Sequence, residues 1–164
     1  MSGTSGWVYG ANSCWQMYQP GLGYKAVCGL DEDASWRKDL DSFRGAAQLR
    51  HLSALVEGLA GDAFDRRAPA QDILLEGSQE GEERVSVCRD VYADKPSTFV
   101  YAYSGMGRPF TLDVAKAFGG TKPATSYWLN PRNGTKSSIS VDSSEFTPPS
   151  SGSIEQDWAL VLTA

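Results

Sequence analysis

Tyr127-Trp128-Leu129-Asn130-Pro131-Arg132-Asn133-Gly134 reads as a strand that runs into a tight turn. It is answered by Phe146-Thr147-Pro148-Pro149 and by Asp157-Trp158-Ala159-Leu160-Val161-Leu162, a strand that starts on a charge and finishes apolar. Together these runs frame a compact all-β unit. The period of two recurs upstream in Arg84-Val85-Ser86-Val87-Cys88-Arg89, in Phe99-Val100-Tyr101-Ala102-Tyr103 and in Phe110-Thr111-Leu112-Asp113-Val114. With Ile73-Leu74-Leu75 and the stretch from Ser138 to Val141, this makes about seven short strands, the pattern of an antiparallel sandwich of seven to eight strands. Ser104-Gly105-Met106-Gly107 and Gly119-Gly120 read as turns, and 148–153 as a loop. Asn133-Gly134 predicts a type I′ hairpin, which needs positive φ at both turn positions.

Ahead of Pro69 the period is helical. Ser35 or Asp33 can cap a short first piece with Trp36 and Leu40 inward, and Ser42 can cap a second. In the second, Phe43, Ala46, Leu49, Leu52, Leu55, Val56 and Leu59 fall largely on one stripe, and Gly58 and Gly61 mark its end. This amphipathic helix requires a surface to pack on. The expected fold is therefore mainly β, with a segment over 1–71 (strand at Trp7 to Gly10, loop, helix) preceding a β-sandwich over 72–164.

A net charge of −5 with scattered Lys and Arg argues against nucleic-acid binding, which needs a basic face. No apolar run approaches the ~20 residues of a membrane span. Met1 to Gly6 has neither a basic start nor an apolar core, so it does not read as a secretory signal. Three cysteines form no disulfide framework; Cys14 and Cys28 can pair or remain separate thiols. With one histidine and no C-x-x-C pair, neither a zinc site nor another cofactor is expected.

The ordered set Phe99 to Tyr103, Pro109 to Val114, Trp128 to Gly134, Phe146 to Pro149 and Asp157 to Leu162 resembles the accessory domain labelled "putative collagen-binding domain" in bacterial and fungal glycoside hydrolases, over roughly 82–164. Gly6-Trp7-Val8-Tyr9-Gly10, Trp15-Gln16-Met17, Trp36 and the helix through Leu59 resemble the end of an apiosidase-like (β/α)8 barrel: its last strand, loop and closing helix. The resemblance implies about seven βα units ahead of Met1, a secreted parent, and catalytic carboxylates on earlier barrel strands, so no catalytic residue maps onto this chain. Glycosidases need two carboxyl groups flanking the scissile bond, and a barrel needs all eight strands to form its active face. The chain alone is therefore expected to be non-catalytic.

The resemblance makes Tyr9, Trp15 and Tyr18 the candidate binding residues, on a loop that opens on the active face, where rings stack on sugars. The family commonly carries a histidine after the Tyr-Gly pair, where Ala11-Asn12 stand here. The acidic run Asp31-Glu32-Asp33 reads as a helix-start cluster, and His51 as a helix residue without a nucleophile. Trp128 and Trp158 read as core, or as a ligand platform if exposed beside Tyr101 or Tyr103. Asn130 and Arg132 read as braces of the turn, and Asn133-Gly134-Thr135 as a glycosylation sequon on the hairpin tip. Three functions stay open: a non-catalytic C-terminal accessory sandwich of a glycoside hydrolase-like protein, supporting or binding carbohydrate; a stand-alone module for glycans or extracellular matrix (collagen); and an inactive gene-model fragment. The oligomeric state is open too.

Overall fold

The computed structural model describes residues 17, 19, 35–39, 43–153 and 155–164. Two compact units divide the chain, one of residues 6–50 and one that includes 51–164. In the first, α1 (Trp36–Asp39) carries Arg37 and Lys38 in its last turn, where cations suit the negative end of the helix dipole. The guanidinium of Arg37 lies 5.2 Å from the Trp36 ring centre. The strand expected at Trp7 to Gly10, the Cys14–Cys28 pairing and the acidic run at Asp31 to Asp33 lie outside the described residues.

Helix α2 (Arg44–Glu57) ends where Gly58 N–H bonds to the Ala54 carbonyl, and Gly61 follows at φ 59°. No residue of α2 is fully buried. Its apolar stripe nevertheless finds a surface: Leu55, and Leu59 just beyond the helix, pack on a cluster of Ala63, Cys88, Phe99, Tyr101, Leu129, Ala159 and Val161.

That cluster lies on one face of a six-stranded antiparallel sheet. Its strands are β1 (Arg67–Pro69), β3 (Val85–Asp90), β4 (Phe99–Ser104), β6 (Thr125–Leu129), β7 (Lys136–Ser138) and β9 (Trp158–Thr163). They run in the order β1-β3-β4-β9-β6-β7. A second sheet holds β2 (Leu74–Glu76), β5 (Phe110–Leu112) and β8 (Glu145–Phe146) in the order β2-β5-β8. The fold is mainly β and sandwich-like, as expected.

Alternation explains the layering. Val100 pairs with Leu162 and Ala102 with Leu160, while Tyr101 pairs with Val161 and Tyr103 with Ala159. Since successive side chains point to opposite faces, the even positions of β4 and β9 enter one core and the odd positions the other. The even set meets Val85, Val87 and Trp128 from the same sheet, and Leu74, Phe110, Leu112 and Phe146 from the small sheet. Phe110 meets the Trp128 ring edge-on at 5.9 Å, a favoured aromatic geometry.

Several elements depart from the sequence expectation. The run predicted to continue to Val114 stops at Leu112, because Asp113 caps a short helix, α3 (Val114–Phe118): its Oδ1 accepts from Lys116 N at 2.9 Å. Gly119, left-handed at φ 61°, ends that helix. The strand expected over Ser138 to Val141 lies earlier, at Lys136–Ser138, although Ile139 N still bonds to Ser126 O and Ile139 and Val141 pack on the inner core. β1 and β8, of three and two residues, are too short for a period to show. After β1, the Gln71 side chain extends the ladder, donating to Val85 O at 3.0 Å and accepting from Val87 N at 2.7 Å.

Asp90, at 0% exposure, closes the β3–β4 connection. Its Oδ1 accepts from Thr98 N at 2.8 Å and Phe99 N at 3.1 Å, its Oδ2 accepts from the Thr98 hydroxyl, and its carbonyl accepts from Ser97 Oγ at 2.7 Å. A buried carboxylate is tolerated when its lone pairs are filled in this way. Asp90→Ala strands two backbone donors and is expected to lower unfolding free energy by about 3 kcal/mol, read by denaturant titration. A loss under about 0.5 kcal/mol would show that water replaces the carboxylate.

Candidate functional site

The two conspicuous sequence runs meet in one part-buried network. Pro131 to Asn133 form a turn in which Gly134 N bonds to Asn130 O at 2.8 Å and Asn130 N to Thr135 O at 2.9 Å. Only Gly134 has positive φ, 76°, and Asn133 does not, so the type I′ expectation is corrected: six residues rather than two connect β6 to β7. Pro131 favours a helix-like φ at the turn's start, and the Asn130 side chain accepts from Arg132 N at 3.0 Å.

This geometry delivers Arg132 to the start of β9. Its Nη1 donates to the Asp157 carbonyl at 2.8 Å and to Asp157 Oδ1, and its guanidinium lies 5.4 Å from the Trp158 ring centre. Asp157 Oδ2 accepts from Tyr103 OH at 3.0 Å. Burial, then the charge of Asp157, pushes the Tyr103 hydroxyl well above its usual range. Trp158 Nε1 donates to Ser150 Oγ at 2.9 Å. Asn130 thus braces the turn, as expected, while the Arg132 side chain ties that turn to the start of β9.

Beside the turn lies a hollow of about 70 Å³ lined by His51, Ala54, Leu55, Leu129, Gly134 and Lys136. The Lys136 ammonium is 4.9 Å from the Tyr127 ring centre. A Cβ placed on Gly134 would collide with His51 Nδ1, so imidazole and turn backbone are in close contact. From the sequence, His51 reads as a helix residue without a nucleophile. Nothing in the sequence links it to a glycine so far along the chain.

Tyr9, Trp15 and Tyr18, the candidate sugar-binding residues, lie outside the described residues. Trp128 and Trp158 are 3% and 8% exposed, which removes them as a platform. Exposed Phe64 has the Arg67 guanidinium 3.8 Å from its ring centre, and Lys95 stands 3.9 Å from that of Tyr92. The carboxylates with partners serve the architecture. Asp62 binds Tyr92 and Arg66, Asp72 binds Lys116 and Arg89, and Glu83 binds Arg108. Asp90 and Asp113 hold a loop and a helix cap. Among the described residues no group of His, Cys, Asp and Glu could hold a metal ion.

Gly134→Ala meets both the positive φ and the imidazole, and is expected to cost about 2 kcal/mol in a denaturant titration; an unchanged midpoint would mean that the turn relaxes its φ and His51 moves aside. The Tyr92–Asp62 bond has a pH signature. The hydrogen bond from Tyr92, then that from Arg66, holds Asp62 below its usual 3.8, and the bond to Asp62 pushes Tyr92 from 10.0 up to about 12. A depressed acid stabilises above its unfolded value and loses that contribution as pH falls; a raised phenol stabilises below its unfolded value and loses it between about 10 and 12. The stability difference between wild type and Tyr92→Phe should therefore be flat from pH 5 to 9 and shrink at both extremes. A difference that persists undiminished at pH 12 would show that the bond is not responsible.

Comparison with known proteins places this geometry. No curated protein matches the chain. A family model described as "Apiosidase-like, catalytic domain" matches residues 1–61. A solved structure titled "Glycoside hydrolase" is 23% identical with a TM-score of 0.74, and a glycoside hydrolase family 5 protein from Bacteroides vulgatus ATCC 8482 is 24% identical with a TM-score of 0.76. Both alignments cover 93% of this chain and 31% of the other, so the chain spans about a third of the length of these structures and shares their fold over that part. The model described as "Putative collagen-binding domain of a collagenase" matches residues 68–163, more than half of the chain, in the region of the two sheets and the Arg132–Asp157 brace, and the chain belongs to that family.

Proposed function

We propose that this chain is the non-catalytic C-terminal accessory part of a glycoside hydrolase-like protein, in which a β-sandwich over 72–164 supports the end of a (β/α)8 barrel over 1–71. The observation that carries this reading is the covering of the outer sheet face. Leu55, Leu59 and Ala63, from the segment leading into β1, pack on Tyr101, Leu129 and Val161. An open aromatic platform would serve sugar binding; an occupied face serves support. The match of residues 1–61 to an apiosidase-like catalytic domain supports reading the segment ahead of that face as barrel-type. The described carboxylates that have partners hold turns, caps and surface ion pairs, which supports a structural part for them rather than the flanking pair that glycoside cleavage needs. Carbohydrate and matrix protein remain the partner classes that the family description and the structural neighbours put forward.

The purified chain should release no sugar from apiose-bearing glycosides above an enzyme-free control, and turnover would overturn the non-catalytic reading. Retention on collagen or on a glycan array would replace support by binding. Support also has its own signature: Leu55→Ala with Leu59→Ala removes half-buried aliphatic area and should cost about 2 kcal/mol in total. No loss of stability would mean that the segment does not need the sheet.

A further inference from the structure

We propose that Asn133 is an acceptor site for an N-linked glycan. The sequon Asn133-Gly134-Thr135 lies on the turn between β6 and β7, and both Asn133 and Thr135 are exposed. The carboxamide is already oriented. Its Oδ1 accepts from Thr135 N at 2.9 Å and from the Thr135 hydroxyl. The sugar is carried by Nδ2, so both of these bonds survive the modification. The neighbouring side chain leaves room, because Arg132 is drawn away to Asp157. Gly134 places backbone, rather than a side chain, against His51.

A glycan here also has a physical use. Among the described strands β7 stands at the edge, paired with β6 alone, and its three residues are all exposed. Unpaired edges invite strand addition by another chain, and a bulky hydrophilic group on the turn that feeds β7 would obstruct it. In the transfer, Asn133 Nδ2 forms a bond to the anomeric carbon of a polyprenyl-pyrophosphate-linked oligosaccharide. The bond from that carbon to the pyrophosphate oxygen breaks, the lipid pyrophosphate departs, and Nδ2 gives up one proton to the transferase.

The test is to express the full chain behind a cleavable secretion signal in a eukaryotic host, beside N133Q, T135A and T135S. A slower-migrating form is expected for the wild type, reduced for T135S and absent for N133Q and T135A. Amidase treatment in isotopically labelled water should convert Asn133 to labelled aspartate. Without amidase little conversion is expected, since Gly134 N, the group that would attack the carboxamide in spontaneous deamidation, is bonded to Asn130 O at 2.8 Å. Deglycosylated material should show the same thermal midpoint and more self-association. An unmodified Asn133 in secreted wild type overturns the proposal. So does a modified chain that is retained and misfolded while N133Q is secreted.

Discussion

β9 is the element on which the rest of the molecule depends. It pairs with β4 on one side and β6 on the other, so the six-stranded sheet is continuous only when the end of the sequence has returned to its middle. Trp158, Leu160 and Leu162 enter one core while Ala159 and Val161 enter the other. A strand apolar on both faces cannot leave either one in water. The small sheet covers the first, and Leu55, Leu59 and Ala63 help to cover the second. Sandwich and helix packing are thus two consequences of one central strand.

The polar motif has a related task. Asp157 precedes β9, and its carbonyl and carboxylate are held by Arg132 and Tyr103. The bracing arginine comes from the turn after β6, the strand that pairs with the other side of β9. The charged start of the last strand and the Asn-Pro-Arg-Asn-Gly turn therefore fix the entry of the central strand. Their side chains are taken up by architecture, Arg132 and Tyr103 both closing on Asp157.

Much of this was legible in the chain. β3, β4, β6 and β9 show the period of two or a short apolar run, and the helical stripe through Leu55 and Leu59 announced a need for a partner. Local competition hid other features. Asp113 stands where alternation continues, yet its carboxylate finds Lys116 N and turns the chain into a helix. Asn133-Gly134 carries the composition of a two-residue turn, but Pro131 and the Asn130 side chain stabilise a longer one that closes on Gly134. Tyr9, Trp15 and Tyr18 rest on family resemblance alone and lie outside the described residues.

The sequence by itself determined the layered β class, the helix that needed a surface, and the bracing part of Asn130, because periodicity and turn chemistry act between near neighbours. Only the tertiary structure decided that β9 lies at the centre, that Asp90 is buried and filled by Ser97, Thr98 and Phe99, and that His51 rests on Gly134. Those are contacts between residues distant in the chain or across a closed loop. Their partners are selected by which faces remain to be covered once the sheet has formed, a condition that no local window of residues contains.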